Sequence, residues 1–472
     1  MSPYVLAAAG VLIIIVFLCV VKNRRSGKSL PPSPPSSLPL IGHLYLRYGG
    51  GGGLLLQLGR RRTLVVSTAA AAADLFRNHD LAFASRPRSV AADRLMYGCR
   101  NVSFAPYGED WRRGKKAAVV HLLSPRRVAS FAPVRAAEAA AFVARARRAA
   151  EAREAVELRE LLYSYTNAVV TRAATGAAGA TVERLKQLIG STAPLVAGLQ
   201  PEDVLPDAPA RFVRWATGLD KMLDDRAEAW DRFLSEILAA HQEKGAGSAG
   251  EEEDEDFLDD MIAAGTGTSS ETLQWTMAEL VANPRVMAKL QDEIARVAGA
   301  AADEAAITEA DLSKMEYLKA VFKEVLRLHP PSPLLVPHES TTPAVVRGYE
   351  IPARTVLFVN VWAIGRDPTA WDAPEEFRPE RFVGGGPAAD FRGTDYQFIP
   401  FGAGRRMCPG INFALPVVEL ALASLLRHFD WELSTGMCPA DVDTSEAPGL
   451  TMPPRVPLVL VPRCKTLAQP AN

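Results

Sequence analysis

The sequence predicts a mainly helical fold with small β-sheets, an α+β chain preceded by a membrane-spanning helix, and three observations carry that prediction. From Val5 to Val21 every residue is apolar or small. From Ala69 to about Gln242 the chain is rich in Ala, Leu, Glu and Arg, with apolar residues at helical spacing. Beyond His329-Pro330-Pro331, short apolar runs such as Val345–Tyr349 and Thr355–Val361 read as strands. The balance of 53 basic against 54 acidic side chains, with 48% hydrophobic residues, excludes a disordered chain. It also removes the basic excess that phosphate recognition uses, so no nucleic-acid partner is expected.

Taken in order, the first apolar run with Met1–Tyr4 reaches the roughly 20 residues that cross about 30 Å of hydrocarbon as a helix. Lys22, Arg24, Arg25 and Lys28 all follow it and nothing basic precedes it, the reverse of a secretory signal. The positive-inside rule then leaves the bulk of the chain on the cytosolic face. Residues 1–21 are therefore expected to be a transmembrane anchor, and 22–42 a basic and proline-rich hinge stiffened by Pro31-Pro32-Ser33-Pro34-Pro35. Gly49–Gly53 cannot be regular structure without a large entropic cost, and Leu54–Ser67 reads as a hairpin. Phe131–Leu162 and Leu219–His241 carry helical spacing, whereas the acidic run Glu251–Asp256 reads as a solvated loop. Leu318, Val321, Phe322, Val325 and Leu328 mark one face of a helix that His329-Pro330-Pro331 stops. Ile411–Phe429 is a second apolar helix, with Pro416 in its first turns or at a kink, and Val456–Val461 is a closing strand.

Five cysteines, odd in number and scattered, are no disulfide framework, and the 7 histidines show no zinc-ligand spacing. A functional cysteine here acts alone. The stretch Phe401-Gly402-Ala403-Gly404-Arg405-Arg406-Met407-Cys408-Pro409-Gly410 suits that role. At every fixed position this stretch resembles the F-x-x-G-x-R-x-C-x-G signature of the cytochromes P450. The chemistry that the resemblance implies accounts for the residue types: a thiolate must reach iron from a loop, glycines let the backbone approach the porphyrin, and an arginine can meet a haem propionate. Glu324-Val325-Leu326-Arg327 resembles the E-x-x-R pair of that family, and Pro379-Glu380-Arg381-Phe382 its P-E-R-F element.

With the apolar N-terminus, the proline hinge, the helix Ala263–Asn283 and the stretch Pro330–Arg463, the chain resembles a plant A-type microsomal cytochrome P450. The resemblance implies a haem-thiolate monooxygenase of the endoplasmic reticulum membrane, with one catalytic domain over residues 43–472 facing the cytosol. It implies haem b with Cys408 as axial thiolate, O2, a small lipophilic substrate, and electrons from NADPH through NADPH-cytochrome P450 reductase. Glu324, Arg327 and Arg381 are then a buried network on the cysteine side of the haem. Phe401, Gly402, Arg406 and Gly410 contact the cofactor from the cysteine loop. Trp111 and Lys115, one helical turn apart, address the propionates, Lys115 standing where the family has arginine and lacking its bidentate fork. His338, at a position where the family often has arginine, is a weaker propionate partner.

On the oxygen side, Ala264-Gly265-Thr266-Gly267-Thr268-Ser269 resembles the [AG]-G-x-[DE]-T-[TS] motif without its acid. Ala264 is expected against the haem, Gly265 in a local distortion of the helix, and Thr268 as the hydroxyl that relays protons during oxygen activation. Gly267 can deliver no proton. Only Phe257–Ala263 separates the acidic run from this motif, so a shortened distal helix is expected, and pentaglycine stands in place of a first amphipathic helix. Substrate contacts are expected from Val90–Phe104, Pro333–Val336 and Gly449–Thr451. Arg112, Arg113, Lys115, Lys116 and Arg405 form a basic patch that could meet an acidic reductase face. Two alternatives stay open: a membrane-anchored haem-binding protein with impaired oxygen activation, and a reductase-independent isomerase or dehydratase of the P450 type.

Overall fold

A computed structural model describes residues 30–31, 54–176, 179–197, 200–243, 251–299, 306–384, 390–434 and 436–465. The expected anchor at 1–21, most of the hinge and the pentaglycine run lie outside the described residues. The expected hairpin is present: β1 (Leu54–Leu58) pairs antiparallel with β2 (Arg61–Val66), Leu54 opposite Val65. Thr68 then caps α1 (Ala69–Asn78) by accepting the Ala71 N–H, and five successive alanines favour the helix that follows.

The long helices after α1 carry the core. They include α2 (Glu109–Ala117), α3 (Ala132–Ala152), α4 (Leu158–Thr175), α5 (Leu219–Glu243), α6 (Glu251–Ala282), α7 (Glu316–Leu328) and α8 (Ile411–His428), with further helices between them. The run Phe131–Leu162 is not one helix. Arg153 turns left-handed at φ 56°, and β3 (Val156–Glu157) intervenes before α4. Phe142, Ala146, Leu158, Leu162, Val169, Leu273, Leu280, Val321, Leu422 and Leu425 are buried together, so α3, α4, α6, α7 and α8 share one apolar interior.

The acidic run is not a loop. Glu251–Asp256 forms the first turns of α6, which continues without interruption to Ala282 over 32 residues, about 48 Å at 1.5 Å per residue. The charge pattern said nothing of the backbone, because Glu and Asp are acceptable near a helix N-terminus, where the helix dipole favours negative charge. The expected shortening of this helix is corrected with it, and so is the expected distortion at Gly265, where the helix runs through unbroken.

Among the described residues, three sheets flank the helices. The first has the order β1-β2-β7-β4, with β7 (Val356–Val359) parallel to β2 and β4 (His338–Glu339) antiparallel to β7. The second is β3-β9-β8, made by β8 (Phe429–Leu433) and β9 (Val459–Cys464) with β3 at the edge. The closing strand thus sits three residues later than its apolar pattern suggested. Val345–Tyr349 is a hairpin instead of a strand: β5 (Ala344–Val346) turns through Arg347 and Gly348, both at positive φ, into β6 (Tyr349–Ile351). Among the described residues α8 is the one helix long and apolar enough to cross a membrane, and it lies largely buried in the core. Pro416 sits inside it, early enough that the helix continues.

A candidate haem site

The cysteine loop and α6 face each other across a cavity of about 280 Å³. Cys408 is carried there by a short 3-10 turn, Gly404–Arg406, and by its own N–H, which donates to the Phe401 carbonyl at 2.9 Å. Gly402 adopts φ 73°, which an L side chain rarely takes, so glycine is needed for the turn. A Cβ added at Gly410 would lie 3.8 Å from Cys408 Sγ, which shows how closely the backbone passes the sulfur. The thiol is accessible from the cavity, yet protein surrounds it on every other side. Burial pushes its pKa up, against the Gly410 N–H and the Lys115 charge, which pull it down. A bound cation reverses that balance by favouring the thiolate.

Across the cavity stand Gly265, Thr268, Ser269 and Thr272 of α6. The Thr272 hydroxyl donates to the Thr268 carbonyl at 2.9 Å, and that of Thr166 on α4 donates to the Thr266 carbonyl at 3.1 Å. Ala264 belongs to the same turn of α6, but its side chain lies outside the described residues.

One edge of the cavity is polar. Arg406 is buried and donates to the carbonyls of Ala84 (2.6 Å), Val102 (3.1 Å) and Ala105, with its guanidinium 4.1 Å from the Trp111 ring centroid. Trp111 Nε1 also donates to Val102, at 3.0 Å. Lys115 lies 5.2 Å from the same ring and donates to the Arg405 carbonyl; burial lowers its pKa, and the Arg406 charge lowers it further. His338 is buried, and its Nδ1 lies 2.9 Å from the Phe83 carbonyl, which fixes the proton on that nitrogen. Burial holds its pKa well below the usual histidine value, assisted by the charges of Arg86 and Arg406, so the ring is neutral. Arg86 carries no motif in the sequence. It is buried at this edge and donates to Ser103 (3.1 Å), Val336 (2.6 Å) and Pro337 (2.9 Å).

These residues fit a haem. A single thiol faces apolar walls of Phe401, Leu335, Phe413 and Val418, while Arg86, Lys115 and Arg406 gather where two carboxylates would need cations. Among the described residues no cluster of three His, Cys, Asp or Glu is placed to bind a metal by itself. Cys99, Cys438 and Cys464 are free thiols that do not line the cavity.

The cytochrome P450 family model matches residues 43–259 and 219–461. The chain belongs to the cytochrome P450 family. Its curated relatives include cytochrome P450 71A1 of Persea americana, 41% identical over 82% of each chain. Others are (+)-menthofuran synthase of Mentha piperita, 37% identical over 95% of this chain and 97% of that one, and indole-2-monooxygenase of Zea mays, 40% identical over 92% and 88%. A zebrafish cytochrome P450 structure with progesterone shares the fold at a TM-score of 0.73 and 23% identity, over 88% of this chain and 96% of that one. The alignment to cytochrome P450 736A117 of Prunus mume spans 504 positions, more than the 472 residues of this chain, so this P450 lacks residues that relative has.

As a P450 it is an oxygen-incorporating monooxygenase that carries haem with a cysteine thiolate ligand. The network expected behind that ligand is assembled. Arg327 donates to both oxygens of Glu324, and Arg381 Nε and the Arg378 N–H reach Glu324 Oε1 at 3.0 and 2.8 Å. Arg327 also stacks at 5.3 Å on Trp371, which packs with Phe398 and Phe382; Phe391 links these rings to Phe401 of the cysteine loop. The network therefore braces the loop through an aromatic cluster. The basic patch is exposed but partly neutralised, since Arg112, Arg113 and Arg405 are paired with Glu109, Asp110 and Asp80. Of the expected substrate segments, Val102, Ser103, Leu335 and Val336 line the cavity, whereas Gly449–Thr451 does not.

Proposed function

We propose that this P450 inserts one oxygen atom from O2 into a small lipophilic plant secondary metabolite, using electrons passed from NADPH by NADPH-cytochrome P450 reductase. The observation that carries the reading is the single thiol of Cys408 at the floor of an apolar cavity roofed by the Thr268 turn. Bound haem supplies the dioxygen chemistry. Cys408 holds it by its sulfur, Phe401, Gly402 and Gly410 shape the loop against it, and Trp111, Lys115, Arg406 and the neutral His338, joined by Arg86, meet its charged edge. The Thr268 hydroxyl moves protons into the cavity, and Glu324, Arg327 and Arg381 hold the loop in place. Relatives named for menthofuran and indole support a substrate that is small and apolar.

Residues 1–21 anchor the chain in the endoplasmic reticulum membrane as a single span, 22–42 form the hinge, and 43–472 form one catalytic domain facing the cytosol. The apolar run followed by Lys22, Arg24, Arg25 and Lys28 supports this placement.

The test is the carbon monoxide difference spectrum of the reduced full chain, with and without Cys408→Ser, followed by turnover with and without reductase. The Soret band that names the family should appear and be lost in the variant, and product should require reductase. Folded protein without that band overturns the reading, and product formed equally without reductase replaces it with an isomerase or dehydratase. Loss of oxygen activation keeps one support only, Gly267, because α6 is not short.

A further inference from the structure

One acid in the buried part of α6 takes no part in holding the haem or shaping its loop. Glu271 is 9% exposed, Oε1 accepts the Thr451 hydroxyl at 2.7 Å, and Oε2 has no hydrogen-bond partner among the described residues. An ionised carboxylate with a buried, unpartnered oxygen is costly, so the neutral acid is the form this site holds. Burial pushes the Glu271 pKa up to about 8, with the Thr451 hydrogen bond and the Arg159 charge pulling against it. The ionisable groups that act on it come from α4: Arg159, which is exposed, and Tyr163, which is half-buried and whose own pKa Glu271 helps to raise.

Helix geometry aims this acid at the oxygen-side turn. Side chains on a helix lean toward its N-terminus, so Glu271, which stands beside the cavity wall of Thr268 and Thr272 and does not itself line the cavity, leans toward the turn that holds Gly267 and Thr268. Gly267 and Glu271 are four apart on one stripe, and Thr268 and Glu271 three apart, within neighbour distance. No atom of the described residues lies within 4 Å of where a Cβ at Gly267 would stand. The acid missing at position 267 thus has a counterpart one turn later, beside space that position 267 leaves open.

We propose that Glu271 is the proton-holding residue of this cavity, acting through Thr268. Its carboxylic O–H gives a proton through water to Thr268 Oγ as the Thr268 hydroxyl releases its own into the cavity, and the carboxylate regains one from solvent on the Arg159 and Tyr163 side. Glu271 is a positioning residue, and the inference rests on the reading of Thr268 given above.

The test uses full-length haem-loaded protein carrying Glu271→Gln, Glu271→Asp, Thr268→Ala, or Glu271→Gln with Gly267→Asp. Infrared difference spectra, read without turnover, should show a protonated carboxyl band at neutral pH that Glu271→Gln removes. Product per NADPH should fall about tenfold or more in Glu271→Gln, with hydrogen peroxide rising to match, and return in Glu271→Asp and in the Gly267→Asp double variant. A wild-type protein without the band, or a Gln variant with wild-type coupling beside an uncoupled Thr268→Ala, overturns the proposal alone. A Gln variant that loses activity with no rise in peroxide and no rescue also overturns it, because that pattern is structural. Wild-type coupling in Thr268→Ala overturns the Thr268 reading and the route with it, while the infrared band still reports the protonation of Glu271.

Discussion

Arg327 grips Glu324 from one helical turn away, with Nε 2.8 Å from Oε2 and Nη2 2.8 Å from Oε1, and both side chains are 0% exposed. The spare guanidinium donor, Nη1, reaches the carbonyls of Gly365 and Pro374 at 2.6 Å each. Removing one partner of such a buried pair strands the other charge. Glu324→Gln or Arg327→Ala should lose about 3–5 kcal/mol of stability, read from urea unfolding midpoints. Arg327→Lys should recover little of it, since an ammonium cannot make the parallel bonds to both oxygens. A loss under about 1 kcal/mol, the range of an exposed pair, would contradict this account of the network.

Arg406 is a second arginine whose shape matters more than its charge. Three backbone carbonyls accept from it while Trp111 covers its face. Arg406→Lys keeps the charge and loses most of these directional bonds, each worth about 1.5–3 kcal/mol for a charged donor. The variant should lose haem faster when challenged with an apo haem acceptor and show a lower Tm. Unchanged haem retention would assign the cavity edge to Arg86 and Lys115 instead.

Two glycines should respond to alanine in opposite directions. A Cβ at Gly365 would fall well inside contact distance of the Arg327 carbonyl oxygen, which is backbone and cannot swing away. Gly365→Ala should therefore cost about 1–3 kcal/mol, as overpacking does. Gly267 has open space around it and lies within α6, so Gly267→Ala should gain up to about 1 kcal/mol from helix propensity. Chemical denaturation of both variants reads the two signs directly.

The parts of the site legible in sequence are those where chemistry restricts the residue. A thiolate loop needs Cys408, Gly402 and Gly410, so Phe401–Gly410 keeps every fixed position of the P450 signature and haem follows from that resemblance, as Glu324, Arg327 and Arg381 follow from the family's E-x-x-R and P-E-R-F elements. Arg86 is not legible: its type suggests a surface residue, and two of its carbonyl partners, Val336 and Pro337, lie about 250 residues away. The hairpin at Val345–Tyr349 is hidden because Arg347 takes φ 48°, a conformation rare for its type. The acidic run misleads because charge reports solvation and leaves the backbone undetermined. Glu271 is visible as an acid within the otherwise apolar, hydroxyl-rich part of α6, but it stands one turn beyond position 267, where the motif carries its acid.

Glu271 also makes a prediction about stability that is independent of turnover. Its pKa is raised from 4.5 to about 8 in the folded protein, so between those values the native state keeps a proton that the unfolded chain releases. Where the native state binds more protons, stability falls as pH rises, by at most about 1.4 kcal/mol per pH unit for one group. The contribution is most favourable below about 4.5 and is lost progressively as pH rises through about 8, where Glu271 ionises in place. Glu271→Gln carries no such proton, so its stability relative to the wild type should improve steadily across that window and level off above it. Buried Glu419, raised to about 7, titrates in both proteins and cancels in the difference. Denaturant midpoints of the two proteins at several pH values measure this, and a difference that stays flat between about pH 5 and 8 would mean that Glu271 is ionised in the native state, contrary to its burial and its unpartnered Oε2.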